Sequence, residues 1–504
     1  MQLKRRDFIK ISGITAAGSL IIPPFIQSCK TVRLSEDAES YLSHFEVTRE
    51  TLQKVISAAM EKGADYADLF FEHTLSNTCA LEDNKVNSAY SNIASGVGIR
   101  VLKGDQTGYA YSEDLTVEAM LRAARTASNI ADSPGKFSVA DLTEYTKPSY
   151  YAIKGSWEDT SIKDKIPYMQ RMNDNIFAAD KRVTMVNVYL NDQTSYIMFY
   201  NSDGLLAWDY RPIILIAGVC IMEDKGSTEN FYVTRSSRMG PDFLTNELID
   251  ELSAEVVDRT SRLFSAVRPE AGEMEVVMGA GQSGILLHEA MGHAFEADFN
   301  RKNLSIFCDK MGQKIAEDFV TIIDDGTIPM NRGSLNFDDE GNPTEKTFLV
   351  SSGKLTSYLH DRISSDFYKV PSTGNGRRQS FRHIPMPRMR STYMENGPHK
   401  KEEIIASVKK GIYVDYFSNG EVNIGQGDFT FFVKFGYLIE NGKLTKPVKD
   451  INIIGNGPQA LADIVMVGDD MAIDNGGGMC GKNGQSVPVT MGIPTVKIKK
   501  LTVG

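Results

Sequence analysis

His288-Glu289-Ala290-Met291-Gly292-His293 places two imidazoles and a carboxylate within six positions, in a chain of 504 residues that holds only seven histidines. Neutral imidazole is a good ligand for Zn²⁺, and a carboxylate held beside the ion can take a proton from the attacking water. The spacing departs from His-Glu-x-x-His, where ligands four apart share one helical face. Here the histidines stand five apart, about 140° around an ideal helix of roughly 3.6 residues per turn. Both can reach one ion only if the helix ends or widens locally, and single wide turns cluster at functional sites. Gly292, just before the second histidine, is where such a distortion costs least.

A catalytic zinc site ordinarily takes three protein ligands and leaves a position open. Glu296 and Asp298 are the candidates near the motif; His360, His383, His399 and Cys480 are farther off. Cys480 lies among Gly476, Gly477, Gly478 and Gly481, in a loop able to approach a metal closely. A thiolate is a strong zinc ligand, and a metal lowers the thiol pKa enough to deprotonate it. A buried cysteine in a glycine-rich turn is the competing reading, and Glu296 is the second choice.

Gly279-Ala280-Gly281-Gln282-Ser283-Gly284, between a predicted strand and the motif helix, also matches the dinucleotide-binding pattern, so an oxidoreductase is an alternative. That pattern needs an acidic residue ending a second parallel strand about 20 residues on. The chain instead continues helically into 294–299.

Helices are predicted from Thr48 as N-cap to Gly63, over 114–130, 164–179 and 244–265, interleaved with strands. The runs 183–190 and 195–200 read as a hairpin, and 211–222 as a buried strand. Pro269 and its surroundings break the pattern. Beyond them, strand 273–278 and the motif helix open a segment of short strands and turns that ends in strand 494–503. The fold class is α+β: an N-terminal α/β region over 48–266, then a β-rich C-terminal lobe over 267–504.

Lys4-Arg5-Arg6-Asp7-Phe8-Ile9-Lys10 has the twin-arginine form, and the apolar run after it is too short to span a membrane. Residues 1–29 are therefore expected to be an export signal, with 30–47 as a tether. Ile26-Gln27-Ser28-Cys29 suggests lipidation at Cys29 and a membrane-anchored or periplasmic protein; cleavage without a lipid is the alternative. Apolar residues at 41% and charged residues at 24% describe an ordinary globular protein, and a net charge of −10 argues against nucleic acid as a partner. Five cysteines are too few and too scattered for a disulfide framework.

Between 377 and 390 lie Arg377, Arg378, Arg382, Arg388 and Arg390. They are either solvated or structural, or they line a substrate channel and bind peptide carbonyls and carboxylates. A non-enzymatic exported lipoprotein with a closed structural metal site is a further alternative.

The long-spaced His288-Glu289-x-x-x-His293, with Asn475-Gly-Gly-Gly-Met-Cys480-Gly481-Lys482-x-Gly484-Gln485 and Val487-Pro488-Val489, resembles the TldD/PmbA metalloproteases. The likeness extends to Ser95-Gly-Val-Gly-Ile-Arg-Val101, Gly374-Asn375-Gly376-Arg377-Arg378 and Pro387-Arg388-Met389-Arg390, and covers nearly all of the chain after the tether. It implies a zinc peptidase acting on flexible peptides, with His288, His293 and Cys480 as ligands and Glu289 as the catalytic glutamate. It also implies a twofold assembly, as a homodimer or with a related subunit, in which this chain is similar to the metal-bearing TldD type.

Overall fold

The computed structural model describes residues 37–131, 137–145, 148–151, 154–423 and 425–504. Its N-terminal part is built on one antiparallel sheet of long strands: β1 (Tyr66–Glu82), β2 (Lys85–Lys103), β3 (Gln106–Ser112), β4 (Val183–Asn201), β5 (Leu205–Asp224) and β6 (Ser227–Ser237). They lie side by side in the order β3-β2-β1-β4-β5-β6.

Side chains alternate across a strand, and β1 uses both faces. Ala67, Leu69 and Phe71 join the core formed with helices Arg49–Met60 and Val117–Ser128. Helices Ile162–Ala179 and Asn246–Leu263 cover another part of the sheet through Met172, Ile176, Leu252 and Val256. Phe70, one position out of phase, packs instead with Phe199 of β4 and with Phe337 and Phe381 of the C-terminal part. Thr48 caps its helix as expected, its side chain accepting the Thr51 N–H.

The expected hairpin over 183–200 is instead the single strand β4. The polar stretch Asn191-Asp192-Gln193 reads as a turn, yet Asp192 is 2% exposed. Its carboxylate holds Lys165 Nζ at 2.6 Å and accepts from Asn77 Nδ2 at 2.8 Å. A buried acid satisfied from a helix and a neighbouring strand can continue a strand, and the sequence alone does not display those partners.

The C-terminal part contains a closed barrel of β7 (Gly272–Met278), β8 (Lys410–Val422), β9 (Asp428–Glu440), β10 (Ile451–Asn456) and β11 (Val496–Val503). The ring runs β8-β7-β11-β10-β9 and closes through the β8–β9 pairing. Val276, Ile412, Val414, Phe431 and Ile498 bury themselves with Leu286, Leu287 and Met291 of the motif helix. Each such side chain contributes about 1.5–3 kcal/mol by leaving water, so the helix is anchored by its apolar face. A second sheet, including strands Ile322–Asp325, Ser391–Met394 and Thr490–Ile493, flanks the barrel. The α+β class is thus observed, with the second part rich in short strands.

The glycine-rich turn does not open a nucleotide site. A Cβ at Gly279 would lie 2.5 Å from the Tyr413 hydroxyl, and one at Gly284 would lie 2.8 Å from the Gly492 nitrogen. These glycines are packing contacts at a tight strand-to-helix junction. Strand β7 runs antiparallel to β11 and parallel to β8 within the closed barrel, not in an open doubly wound sheet.

Candidate metal centre

The motif helix widens where the five-residue spacing requires it. His288–Gly292 form one π-helical turn, and the His293 N–H donates back to the His288 carbonyl. The two rings stand with centroids 5.1 Å apart and planes at 80°. Gly292 is needed for a second reason. A Cβ there would meet Met389 Sδ at 2.2 Å, so the widened turn sits against the segment that carries Arg388 and Arg390.

Cys480 arrives on a hairpin of strands Met479–Lys482 and Gln485–Pro488, whose turn residues Asn483 and Gly484 both have positive φ. Cys480 is fully buried, and its Sγ lies 3.5 Å from His293 Nε2. Ligand atoms of His288, His293 and Cys480 lie within 4.8 Å of one another. Tetrahedral zinc with Zn–N near 2.0–2.1 Å and Zn–S near 2.3 Å separates its ligands by roughly 3.3–3.6 Å. Both nitrogens of the buried His288 lack a hydrogen-bond partner, which a cation would supply. The donor set therefore fits a soft divalent ion such as zinc.

The electrostatics hold the sulfur ready as a thiolate. Burial alone would push the Cys480 thiol up, but His288 and His293 beside it bring it down to about 5. Burial opposes charge on His293 as well, yet Glu296 and Cys480 raise its pKa well above the usual imidazole range. Glu296 is brought down to about 2 despite burial, because Lys482 and His293 face it.

Glu296 stands on the Nδ1 side of His293, outside the group formed by His288, His293 and Cys480. Its Oε2 lies 3.0 Å from His293 Nδ1, leaving Nε2 to face Cys480. Lys482 Nζ donates to Glu296 at 3.0 Å, to Asp298 at 2.7 Å and to the Pro387 carbonyl at 3.1 Å. Sequence reasoning gave Lys482 no role, although it stands two residues after Cys480 on the same strand face. The other candidates lie outside the cluster: His360 packs between Tyr358 and Tyr368, His383 meets Ser380, and His399 meets the Val467 carbonyl. Glu289 is the motif residue that reaches solvent, 26% exposed, with Oε2 at 3.9 Å from His293 Nε2.

Of the five arginines, Arg382 is at the surface and meets Glu113 at 2.7 Å, and the other four fall into two pairs. Expected in a channel wall, Arg388 and Arg390 are instead fully buried and committed to protein groups. Arg390 holds Asp324 at 2.9 Å and the Glu345 carbonyl at 2.9 Å. Arg388 donates to the carbonyl of Cys480 itself and to that of Gln485. Each guanidinium ties backbone carbonyls of separate segments together in the interior. Arg388→Ala would remove the guanidinium's buried hydrogen bonds to the hairpin that carries Cys480, at a cost of about 1.5–3 kcal/mol. We expect that variant to lose metal affinity, with KM for peptide a secondary effect; metal content after dialysis checks it. Arg377 and Arg378 line a cavity between the two parts of the chain.

Family models match the chain in three stretches: PmbA/TldA metallopeptidase domain 1 over residues 67–131, the central domain over 155–264 and the C-terminal domain over 271–504. A metalloprotease TldD homolog of Haemophilus influenzae is 37% identical, covering 94% of this chain and 99% of that protein. The chain belongs to the TldD/PmbA family. A Buchnera aphidicola TldD homolog is also 37% identical over 92% of this chain and 98% of its own length. A Saccharolobus solfataricus relative, 28% identical over 90% of this chain and 99% of its own, is named a zinc metalloprotease. Among solved structures, TldE from Thermococcus kodakarensis matches with a TM-score of 0.70 at 20% identity, covering 90% of this chain and 100% of that one. A Thermotoga maritima protein described as a modulator of DNA gyrase matches with a TM-score of 0.74 at 23% identity, over 90% of this chain and 99% of its own. At those identities the likeness concerns the fold alone.

These relatives correct one expectation. The match to TldD metalloproteases is nearly end to end, and nothing in it supports a twin-arginine export signal. The twin-arginine export signal is therefore not retained. Arg5, Arg6 and Cys29 lie outside the described residues.

Proposed function

We propose that this chain is a zinc-dependent peptidase that hydrolyses peptide bonds in flexible or unfolded peptides. The observation that carries this reading is the convergence of His288, His293 and Cys480 within 4.8 Å, with Glu289 beside them and partly open to solvent. Zinc bound there would supply a Lewis acid for the scissile carbonyl and acidify water.

The chain's own residues do the rest. Glu289 accepts the proton of the attacking water and delivers it to the leaving amine. Glu296 accepts from His293 Nδ1 and fixes the ring's tautomer, and Lys482 holds Glu296 ionised. Arg388 pins the hairpin that presents Cys480. A donor set this deeply buried is reached more readily by an extended chain than by a folded surface. We further propose that the chain works in an assembly with a second copy or a related subunit, a reading supported by the fold it shares with TldE.

Hydrolysis of an unstructured peptide should cease when a chelator removes the metal and return on adding zinc, while a stably folded protein stays intact. Cleavage that persists in chelator would contradict the proposal.

A further inference from the structure

A cavity of about 80 Å³ lies directly behind the Cys480 hairpin. Val487, which lines it, is the cross-strand partner of Cys480. Strand spacing places it about 4.8 Å from the Cys480 strand. Half-exposed Gln379 and exposed Ser486 stand at its rim, so it is open to solute.

Four arginines and two carboxylates, Glu72 and Asp339, line it. Arg211 is paired with Asp209 and Asp339, and Arg378 faces Asp68. Glu72 also lines the cavity, but its oxygens are taken by the Thr74 hydroxyl and the Phe381 N–H. Arg238 and Arg377 remain. They are 4% and 2% exposed, and neither has a carboxylate within ion-pair distance among the described residues. Arg238 donates to the Pro212 carbonyl at 3.3 Å and lies over the Tyr151 ring. Arg377 gives its terminal nitrogens to the carbonyls of Met389 and Pro488 at 2.6 and 2.8 Å. The Nε of each is buried without a partner. Burial depresses both guanidinium groups, Arg377 to about 9, although Asp339 beyond ion-pair distance works against it in each.

A buried cation without a counterion is costly and calls for an anion. Guanidinium forks match the planar geometry of a carboxylate. Val487 joins this cavity to the strand pair that carries Cys480, so a carboxylate held here lies close to the donor set.

We propose that the cavity is a carboxylate subsite of the peptidase, in which Arg238 and Arg377 bind a carboxylate of the substrate close to the bond that is cut. This inference rests on the peptidase reading above. The carboxylate comes either from the peptide's own C-terminus or from an aspartate or glutamate side chain.

Three peptides sharing one scissile bond distinguish the sources: a free C-terminal acid, its C-terminal amide, and the amide with glutamate placed two residues from the bond. The wild-type protein should cleave at least one charged peptide with a kcat/KM about tenfold or more above the neutral amide, the gain lying in KM. Preference for the acid alone identifies a terminal carboxylate, and preference for the glutamate peptide alone identifies a side chain. Arg238→Gln should bring that ratio toward one, and Arg238→Lys should restore part of it. Equal efficiency on all three peptides, which needs no variant to observe, would overturn the proposal, as would a ratio unchanged in a folded Arg238→Gln protein. If no peptide is cleaved, the peptidase reading itself fails. Calorimetry with N-acetylglycine and its amide then decides the subsite: binding of the acid alone upholds it, and binding of neither refutes it.

Discussion

Glu289→Gln is expected to keep the metal and to lower the rate of peptide hydrolysis by about 10²–10⁴-fold, the usual contribution of a positioned general base. The side chain stands outside the donor set, its oxygen 3.9 Å from His293 Nε2, while neighbouring Leu287 and Met291 anchor the helix from its apolar face. Glutamine keeps the shape and hydrogen bonding of the side chain but cannot hold the water's proton. Metal content and turnover should therefore separate in this variant. Parallel metal analysis and peptide assays check it, and hydrolysis at the wild-type rate would remove Glu289 from the role assigned to it.

Cys480→Ala is expected to do the opposite and to abolish metal binding and activity together. The His288 nitrogens have no hydrogen-bond partner in the fold, and the His293 ring is held between Glu296 and Cys480. Two imidazoles without the thiolate make an incomplete zinc site. The hairpin itself should survive, because its ladder, the Asn483-Gly484 turn and the Arg388 bonds to main-chain carbonyls do not involve the sulfur. Circular dichroism close to that of the wild type, with no metal after dialysis, is the expected pair of observations. Metal retained at full occupancy would mean that another residue completes the site.

Much of this centre was legible because it is local. A five-residue interval between histidines demands a widened turn, and a glycine preceding the second histidine shows where the distortion is tolerated; the π-turn at His288–Gly292 answers both. Cys480 could be singled out by its glycine-rich surroundings, and the family resemblance narrowed the choice among the open candidates. The support of the site was less visible. Glu296 reads as a rival ligand until Lys482, far along the chain, is seen to hold it at 3.0 Å and free it for His293. Arg388 and Arg390 stay undecided between a channel wall and structural ion pairs until their burial and their partners are known. The same limitation governs the fold. Helices with a clear apolar stripe are apparent in the sequence, whereas β4 hides a buried Asp192–Lys165 pair in what resembles a turn. Closure of the barrel depends on β8 pairing with both β7 and β9, a long-range arrangement that periodicity does not encode.

X-ray absorption at the zinc edge of the loaded wild-type protein reads the ligand atoms themselves. One sulfur near 2.3 Å and two imidazole nitrogens near 2.0–2.1 Å are expected, with the sulfur contribution lost in Cys480→Ala. Zinc surrounded only by nitrogen and oxygen in the wild type would rule out Cys480 as a ligand.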